Sequence, residues 1–267
     1  MLTVAIGGLG AIGLKLAQAL DAGVEGLRLT AVSARDRAKA AANLAGFRAP
    51  PAIVGLGELA ERADIVVEAA PAAVFEEIVG PAVSRGRIAV VSSAGALLPR
   101  MHLVDQAKVA GGRIIVPTGA LLGLDAVRAA AEGQVESVTL VTRKPPRGLA
   151  GAPYLDQHGI DVLAITEPTR IFAGSAREGA KGFPANVNVA AALALAGIGP
   201  DRTTLEIWAD PTVTRNTHTV KVEADTVRLT MTIENVPSEE NPRTGKITPL
   251  SLLACLRGLV STLKVGS

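Results

Sequence analysis

Gly8, Gly10 and Gly13 stand at G-x-G-x-x-G spacing directly after the apolar run Leu2 to Ile6 and ahead of an Ala-rich stretch. In a strand-to-helix turn each glycine has a mechanical task. The first makes the tight turn, the second lets the backbone approach a pyrophosphate, and the third lets helix and strand meet closely. The phosphates would sit over Ala11 and Ile12, where unpaired N–H groups and the helix dipole favour negative charge. With 28 glycines in the chain the pattern alone is weak. The context carries it: a strand before, a helix after, and a second strand from Leu27.

About 20 residues past the third glycine, an NAD-specific site places an acidic residue on the ribose 2′-hydroxyl. Here that region reads Val32-Ser33-Ala34-Arg35-Asp36, with no acid at the strand end. Ser33 and Arg35 suit a 2′-phosphate, and Asp36 still offers a carboxylate to a hydroxyl. Alternatively, Arg35 and Asp36 simply start the next helix. The expected cofactor is NADP together with NAD. Further strand ends fall at Glu68-Ala69-Ala70-Pro71 and Ser92-Ser93-Ala94-Gly95. Their small residues, Ala70, Pro71 and Ser93 among them, leave room for a nicotinamide ribose, or form ordinary turns with Ser93 as a cap.

Hydride transfer needs a proton shuttle, and histidine is the usual one because its pKa lies near neutrality. The three histidines are His102, His158 and His218. His102 starts a helix beside Arg100 and His158 follows Asp156-Gln157 in a loop, both expected at the surface. His218 lies in Thr214-Arg215-Asn216-Thr217-His218-Thr219, among hydroxyls and an amide able to orient it, with Arg215 nearby. An exposed strand histidine is the alternative. The histidines are scattered and Cys255 is the lone cysteine, so a metal site lacks ligands.

The elements that must position these residues follow from patterning. Leu2 to Ile6, Leu27 to Val32, Ile65 to Val67, Ile88 to Val91 and Ile114 to Val116 read as strands, separated by the helical stretches 11–22, 36–45, 72–83 and 100–110. Uniformly apolar strands alternating with helices predict a Rossmann-type, doubly wound parallel sheet over residues 1–133. Beyond Gly133 the strands alternate apolar and polar: Val135 to Thr142, Thr204 to Ala209, Thr217 to Val222 and Val227 to Ile233. Polar turn residues between the last two predict an antiparallel hairpin. Residues 134–240 are expected to form an α+β substrate and dimerisation domain, with one clear helix from Pro184 to Ala196 and loops at 145–153 and 238–245. Residues 241–267 add a loop and a helix from about Pro249 to Leu263 packing back on the first domain.

Composition limits the partners. Lys and Arg total 27 against 25 Asp and Glu, and aromatics are 2% of the chain, too few for a stacking groove on nucleic acid. The longest apolar stretch, Phe183 to Gly199, carries Asn186 and Asn188 and falls short of the roughly 20 residues that span a bilayer. The start lacks the basic residues of a signal peptide, and the single cysteine fits a reducing compartment. A cytoplasmic protein without membrane partners is expected.

Several further segments resemble the L-aspartate dehydrogenase family. They are Pro117-Thr118-Gly119-Ala120-Leu121-Leu122-Gly123-Leu124-Asp125, Thr142-Arg143-Lys144-Pro145-Pro146, Phe183-Pro184-Ala185-Asn186-Val187-Asn188, Asp210-Pro211 with Asn216-Thr217-His218, and Asn241-Pro242-Arg243-Thr244-Gly245-Lys246. The resemblance runs through the whole chain in order. It implies NAD(P)-dependent oxidation of L-aspartate to iminoaspartate, which hydrolyses to oxaloacetate and ammonia or feeds NAD biosynthesis. It also implies His218 as the acid/base and Ala120 and Asn188 as cofactor contacts near the nicotinamide. Asn186 and Asn188 could instead start an apolar helix, and Ala120 could pack beside a turn.

Two substrate carboxylates call for anion-binding groups, with Arg215, Lys144, Arg143, Arg243, Lys246, Thr244 and Ser93 as candidates. Sugar oxidoreductases of similar architecture carry Glu-Lys-Pro where this chain has Ser92-Ser93-Ala94-Gly95, and dihydrodipicolinate reductases carry adjacent histidines that this chain lacks. Two alternatives remain: a non-catalytic dinucleotide sensor, which would need no acid/base, and another imine or carbonyl reductase. Exposed strand surface in residues 134–240 predicts a homodimer.

Overall fold

The computed structural model describes residues 1–184, 187–239 and 245–266, which fall into two compact units. The first contains Met1–Pro117 and Pro249–Val265. Its strands are β1 (Leu2–Gly7), β2 (Leu27–Ser33), β3 (Ala52–Ile53), β4 (Ile65–Glu68), β5 (Ile88–Val91) and β6 (Arg113–Ile115). All pair in parallel in the order β3-β2-β1-β4-β5-β6. Strand order therefore reverses between β1 and β4, where ligands bind in doubly wound sheets. Helices α1 (Ala11–Ala22), α2 (Arg37–Leu44), α3 (Leu59–Arg62), α4 (Phe75–Ser84), α5 (Ala94–Leu97) and α6 (His102–Ala110) link the strands.

Strands buried on both faces explain the unbroken apolar runs. Val4, Ile6, Val32, Ile65, Val67 and Val90 share a core with Leu16 and Leu20 of α1, and with Leu252 and Leu256 of the last helix. Each such side chain contributes roughly 1.5–3 kcal/mol of transfer free energy on burial. The short strand β3 gives no sequence signal, because its two residues follow a Pro-Pro pair and their pairing to Ala31 and Val32 is fixed only by the sheet.

The second unit runs from Thr118 to Thr248, with Gly266. The boundary thus falls at Pro117–Thr118 rather than at the expected Gly133. The reason is α7 (Leu124–Ala131), an Ala-rich helix that resembles the helices of the first unit in composition. It contacts α10 (Asn188–Ala196), and its Val127 lies by Gly197 and Val138 of the second unit. Strands β7 (Val135–Lys144), β8 (Thr169–Ser175), β9 (Thr203–Ala209), β10 (Asn216–Ala224) and β11 (Arg228–Asn235) form a mixed sheet in the order β11-β10-β7-β9-β8. β10 and β11 are the expected antiparallel hairpin. β8 escaped the pattern reading because a bulge between Arg170 and Phe172 breaks its alternation. It leads into α9 (Ala176–Gly182) through a capping box of Ser175 and Glu178. The short helix α8 (Pro153–Gln157) starts on a proline that suits a first helical position. The expected helix from Pro184 begins only at Asn188.

One face of this sheet is buried: Val138 and Leu140 on β7, Leu205 and Ile207 on β9, and Val220 and Val222 on β10. The closing helix α11 (Ile247–Val260) belongs from Pro249 onward to the first unit.

Candidate active site

At the carboxyl edge of the six-stranded sheet the glycine loop has the form a dinucleotide needs. Gly8 has φ +103°, and a Cβ there would meet the Ala69 carbonyl oxygen at 2.5 Å, so only glycine fits the turn. A Cβ on Gly13 would strike the Gly8 carbonyl oxygen. Gly10 differs, because a Cβ there meets nothing within 4 Å. Its bare backbone opens onto free space at the start of α1, and no side chain caps that helix. A pyrophosphate over Gly10, Ala11, Ile12 and Gly13 would take the first-turn N–H groups that the helix leaves unpaired.

Ser33 ends β2 as a buried residue whose carbonyl accepts from Gly8 N–H at 2.8 Å, tying the second strand to the loop. Arg35 is exposed in the bend that follows. Asp36 is the N-cap of α2 and accepts from Lys39 N–H at 2.9 Å, so its carboxylate serves the helix. Ala70 and Pro71 lie in the turn after β4, and Ser93 occupies the N-cap position of α5. Ser93 does not cap. Its hydroxyl donates to Glu68 Oε1 at 3.0 Å and its N–H to Glu68 Oε2 at 2.9 Å, while Ala70 N–H donates to Glu68 Oε1 at 3.1 Å.

Glu68 is fully buried, and burial pushes its pKa up against the lowering effect of these bonds. It ties the β4 and β5 turns together at the sheet edge. Sequence reading noted Glu68 only as a strand end. A glutamate closing the run Ile-Val-Val was the available signal, since buried carboxylates persist only when hydrogen-bonded.

In the second unit the buried face of the sheet turns polar at one end. His218 on β10 pairs in register with Thr142 on β7, and Asn216 pairs with Asn235 on β11. Lys144 is two residues beyond Thr142 on the same buried face. His218 is 3% exposed, so it is not the surface strand histidine that spacing also allowed. Its Nδ1 lies 3.1 Å from Thr142 Oγ1. Burial, with a smaller contribution from the positive charge of Lys144, pulls its pKa down to about 3. The imidazole is neutral at physiological pH, and burial with the nearby Lys144 charge makes it a weak base in the empty site.

Asn235 Nδ2 donates to the Ala120 carbonyl at 2.8 Å. The loop carrying Ala120 is thereby fixed at the same polar end, following Gly119 with φ +62°. Asn188 is the first residue of α10, exposed, while Val187 occupies the cap position. His102 is exposed and bonded to Glu76 at 3.0 Å. His158 is exposed too and stacks on Tyr154. Asn186, Arg243 and Thr244 lie outside the described residues.

A family profile described as "Aspartate dehydrogenase, C-terminal" matches residues 125–259. The chain belongs to the aspartate dehydrogenase family. A second profile, "Homoserine dehydrogenase, NAD binding domain", matches residues 8–117, the glycine loop and its sheet. An L-aspartate dehydrogenase of Bradyrhizobium diazoefficiens is 59% identical over 266 residues, covering 100% of this chain and 94% of its own. L-aspartate dehydrogenase 3 of Bordetella bronchiseptica is 54% identical, covering 100% and 98%. The crystal structure of aspartate dehydrogenase from Thermotoga maritima superposes with a TM-score of 0.75 at 25% identity, covering 100% of both chains. No helix among the described residues is long and apolar enough to cross a membrane.

Proposed function

We propose that this protein catalyses the NAD(P)-dependent oxidative deamination of L-aspartate to iminoaspartate, which hydrolyses to oxaloacetate and ammonia. The observation that carries the reading is His218, a neutral buried imidazole among Thr142, Asn216 and Lys144 in a chain of this family. When bound, the dinucleotide supplies the hydride acceptor for the substrate Cα–H. Gly10, Ala11, Ile12 and Gly13 hold its pyrophosphate, and Ser33 and Arg35 take its adenosine end, with NADP accepted along with NAD. Ala70, Pro71 and Ser93 leave room for the nicotinamide ribose, and Ala120 and Asn188 contact the nicotinamide end.

His218 takes a proton from the substrate ammonium at Nε2, freeing the nitrogen lone pair that drives hydride departure. That role requires the tautomer in which Nδ1–H donates to Thr142 Oγ1. Once it has passed that proton to solvent, the imidazole is again neutral and able to take a proton from the water that attacks the imine carbon. Iminoaspartate also suits an onward role in NAD biosynthesis.

The test is NAD(P)H absorbance on mixing the protein with L-aspartate, D-aspartate, L-glutamate and L-alanine, each with NAD and with NADP. Signal confined to L-aspartate is expected. Silence with every amino acid, and with oxaloacetate, ammonia and NADPH, would remove the reading in favour of a dinucleotide sensor or a different imine substrate.

We also infer a homodimer through the outward face of the five-stranded sheet. That face presents Thr139, Val141, Thr217, Thr219, Thr230 and Thr232, none of them fully buried. Light scattering at micromolar concentration should return twice the chain mass, and a monomer would end the idea. A cytoplasmic setting fits a chain whose single cysteine, Cys255, can form no disulfide within it.

A further inference from the structure

We propose that Lys144 anchors a carboxylate of the dicarboxylate substrate beside His218. The proposal rests on the aspartate reading and deepens it by assigning the anion-binding group that the sequence left open.

Position selects Lys144 among the candidate cations. Arg143, its neighbour on β7, belongs to the opposite, outward face of the strand. There its guanidinium lies 4.5 Å from the centre of the Trp208 ring and donates to Asp210 at 3.1 Å. Arg215 is half exposed, with Glu234 as its ion-pair partner at 3.9 Å. Lys246 is exposed and bonded to Glu239 at 2.8 Å. Lys144 alone among the described candidates is buried, at 4% exposure, on the face that carries Thr142 and His218.

The register gathers these groups at one end of the buried face. His218 pairs with Thr142, the next pair out is Thr217 with Arg143, and Lys144 and Asn216 each come one residue beyond. Asn216 in turn pairs with Asn235, which holds the Ala120 loop. An ammonium, an amide and an imidazole therefore share, with Thr142, one end of a buried face that is otherwise apolar, with Leu140, Leu205, Ile207 and Val220 next along it. A carboxylate bound at this end of the face meets a cation in a low-dielectric setting, where charge-assisted bonds are at their strongest. Its negative charge would also offset the field of Lys144 on the imidazole, leaving His218 a better base with substrate bound than without.

Lys144→Met and Lys144→Gln test the assignment, the second guarding against a loss of fold in the first. With folding checked by circular dichroism, both variants should raise KM for L-aspartate on the order of 10- to 100-fold, the size of a lost charge-assisted bond. KM for the dinucleotide should stay within about twofold, since its pyrophosphate is held elsewhere. Succinate, a dicarboxylate that cannot react, should raise the melting temperature of the wild type in the presence of NADH and fail to do so in either variant. An unchanged KM for L-aspartate, or succinate protection that survives both substitutions, overturns the proposal. Wild type that ignores every amino acid while succinate still protects it through Lys144 would sink the aspartate reading and leave the carboxylate anchor standing.

Discussion

Glu68 receives both the N–H and the hydroxyl of Ser93, so the last residue of β4 holds the turn after β5 as a two-point clamp. Ala70 N–H completes the set from the turn after β4 itself. Glu68→Ala would leave these donors without their acceptor and is expected to cost about 1–3 kcal/mol. KM for the dinucleotide should rise with it, read by urea denaturation and steady-state kinetics.

The protonation of Glu68 gives a separate expectation. Burial raises its pKa above 4.5, so the folded state retains the proton longer than the unfolded chain. Its contribution to stability is full below pH 4.5 and declines as pH rises through the folded value. The stability difference between wild type and Glu68→Gln should therefore narrow from pH 4.5 toward neutrality. A difference that widens over that range would mean the Ser93 and Ala70 bonds outweigh burial.

Gly10 and Gly13 separate binding from folding. A methyl at Gly10 meets open space, so Gly10→Ala should leave stability within about 0.5 kcal/mol while raising KM for the dinucleotide tenfold or more, roughly, by crowding the phosphate. At Gly13 a methyl strikes the Gly8 carbonyl oxygen, and Gly13→Ala should lose about 1–3 kcal/mol before any cofactor is added. Equal loss of stability in both variants would refute the distinction.

Arg35 is exposed at the end of β2, while Asp36 is occupied as a helix cap. With that carboxylate engaged in the cap, the proposed 2′-phosphate contact falls to the exposed Arg35. Arg35→Ala should lower kcat/KM with NADP about 10- to 100-fold and leave the NAD value nearly unchanged. Equal effects on the two cofactors would remove the clamp.

Local patterning made the first unit legible. Its strands are buried on both faces, so their apolar runs announce them, and the glycine turn sits at its expected sheet edge. The second unit was legible only where alternation is clean. The bulge at Arg170–Phe172 hid β8, and α7 carries no mark of which sheet it serves, because Leu124, Val127 and Ala130 would suit either. Within the site, His218 stood out as one of only three histidines. What distinguishes Lys144 from Arg143 is which face of β7 each occupies, and that follows from pairing across β9 and β10 rather than from composition.

His218 carries the last prediction, on acid stability as well as turnover. His218→Ala should reduce kcat by about 10²- to 10⁴-fold, the usual worth of a positioned acid/base. In the folded state its pKa is about 3 against an ordinary 6.5, so as pH falls the unfolded chain gains this proton first. The contribution is full above pH 6.5 and is lost progressively toward pH 3, at no more than about 1.4 kcal/mol per pH unit. His218→Asn keeps a polar side chain without that titration and should show a shallower loss of stability between pH 6 and 4, measured by denaturant midpoints. Parallel curves for the two proteins would mean that His218 gains its proton in the folded state at nearly its ordinary pKa, and that burial does not hold the imidazole neutral in acid.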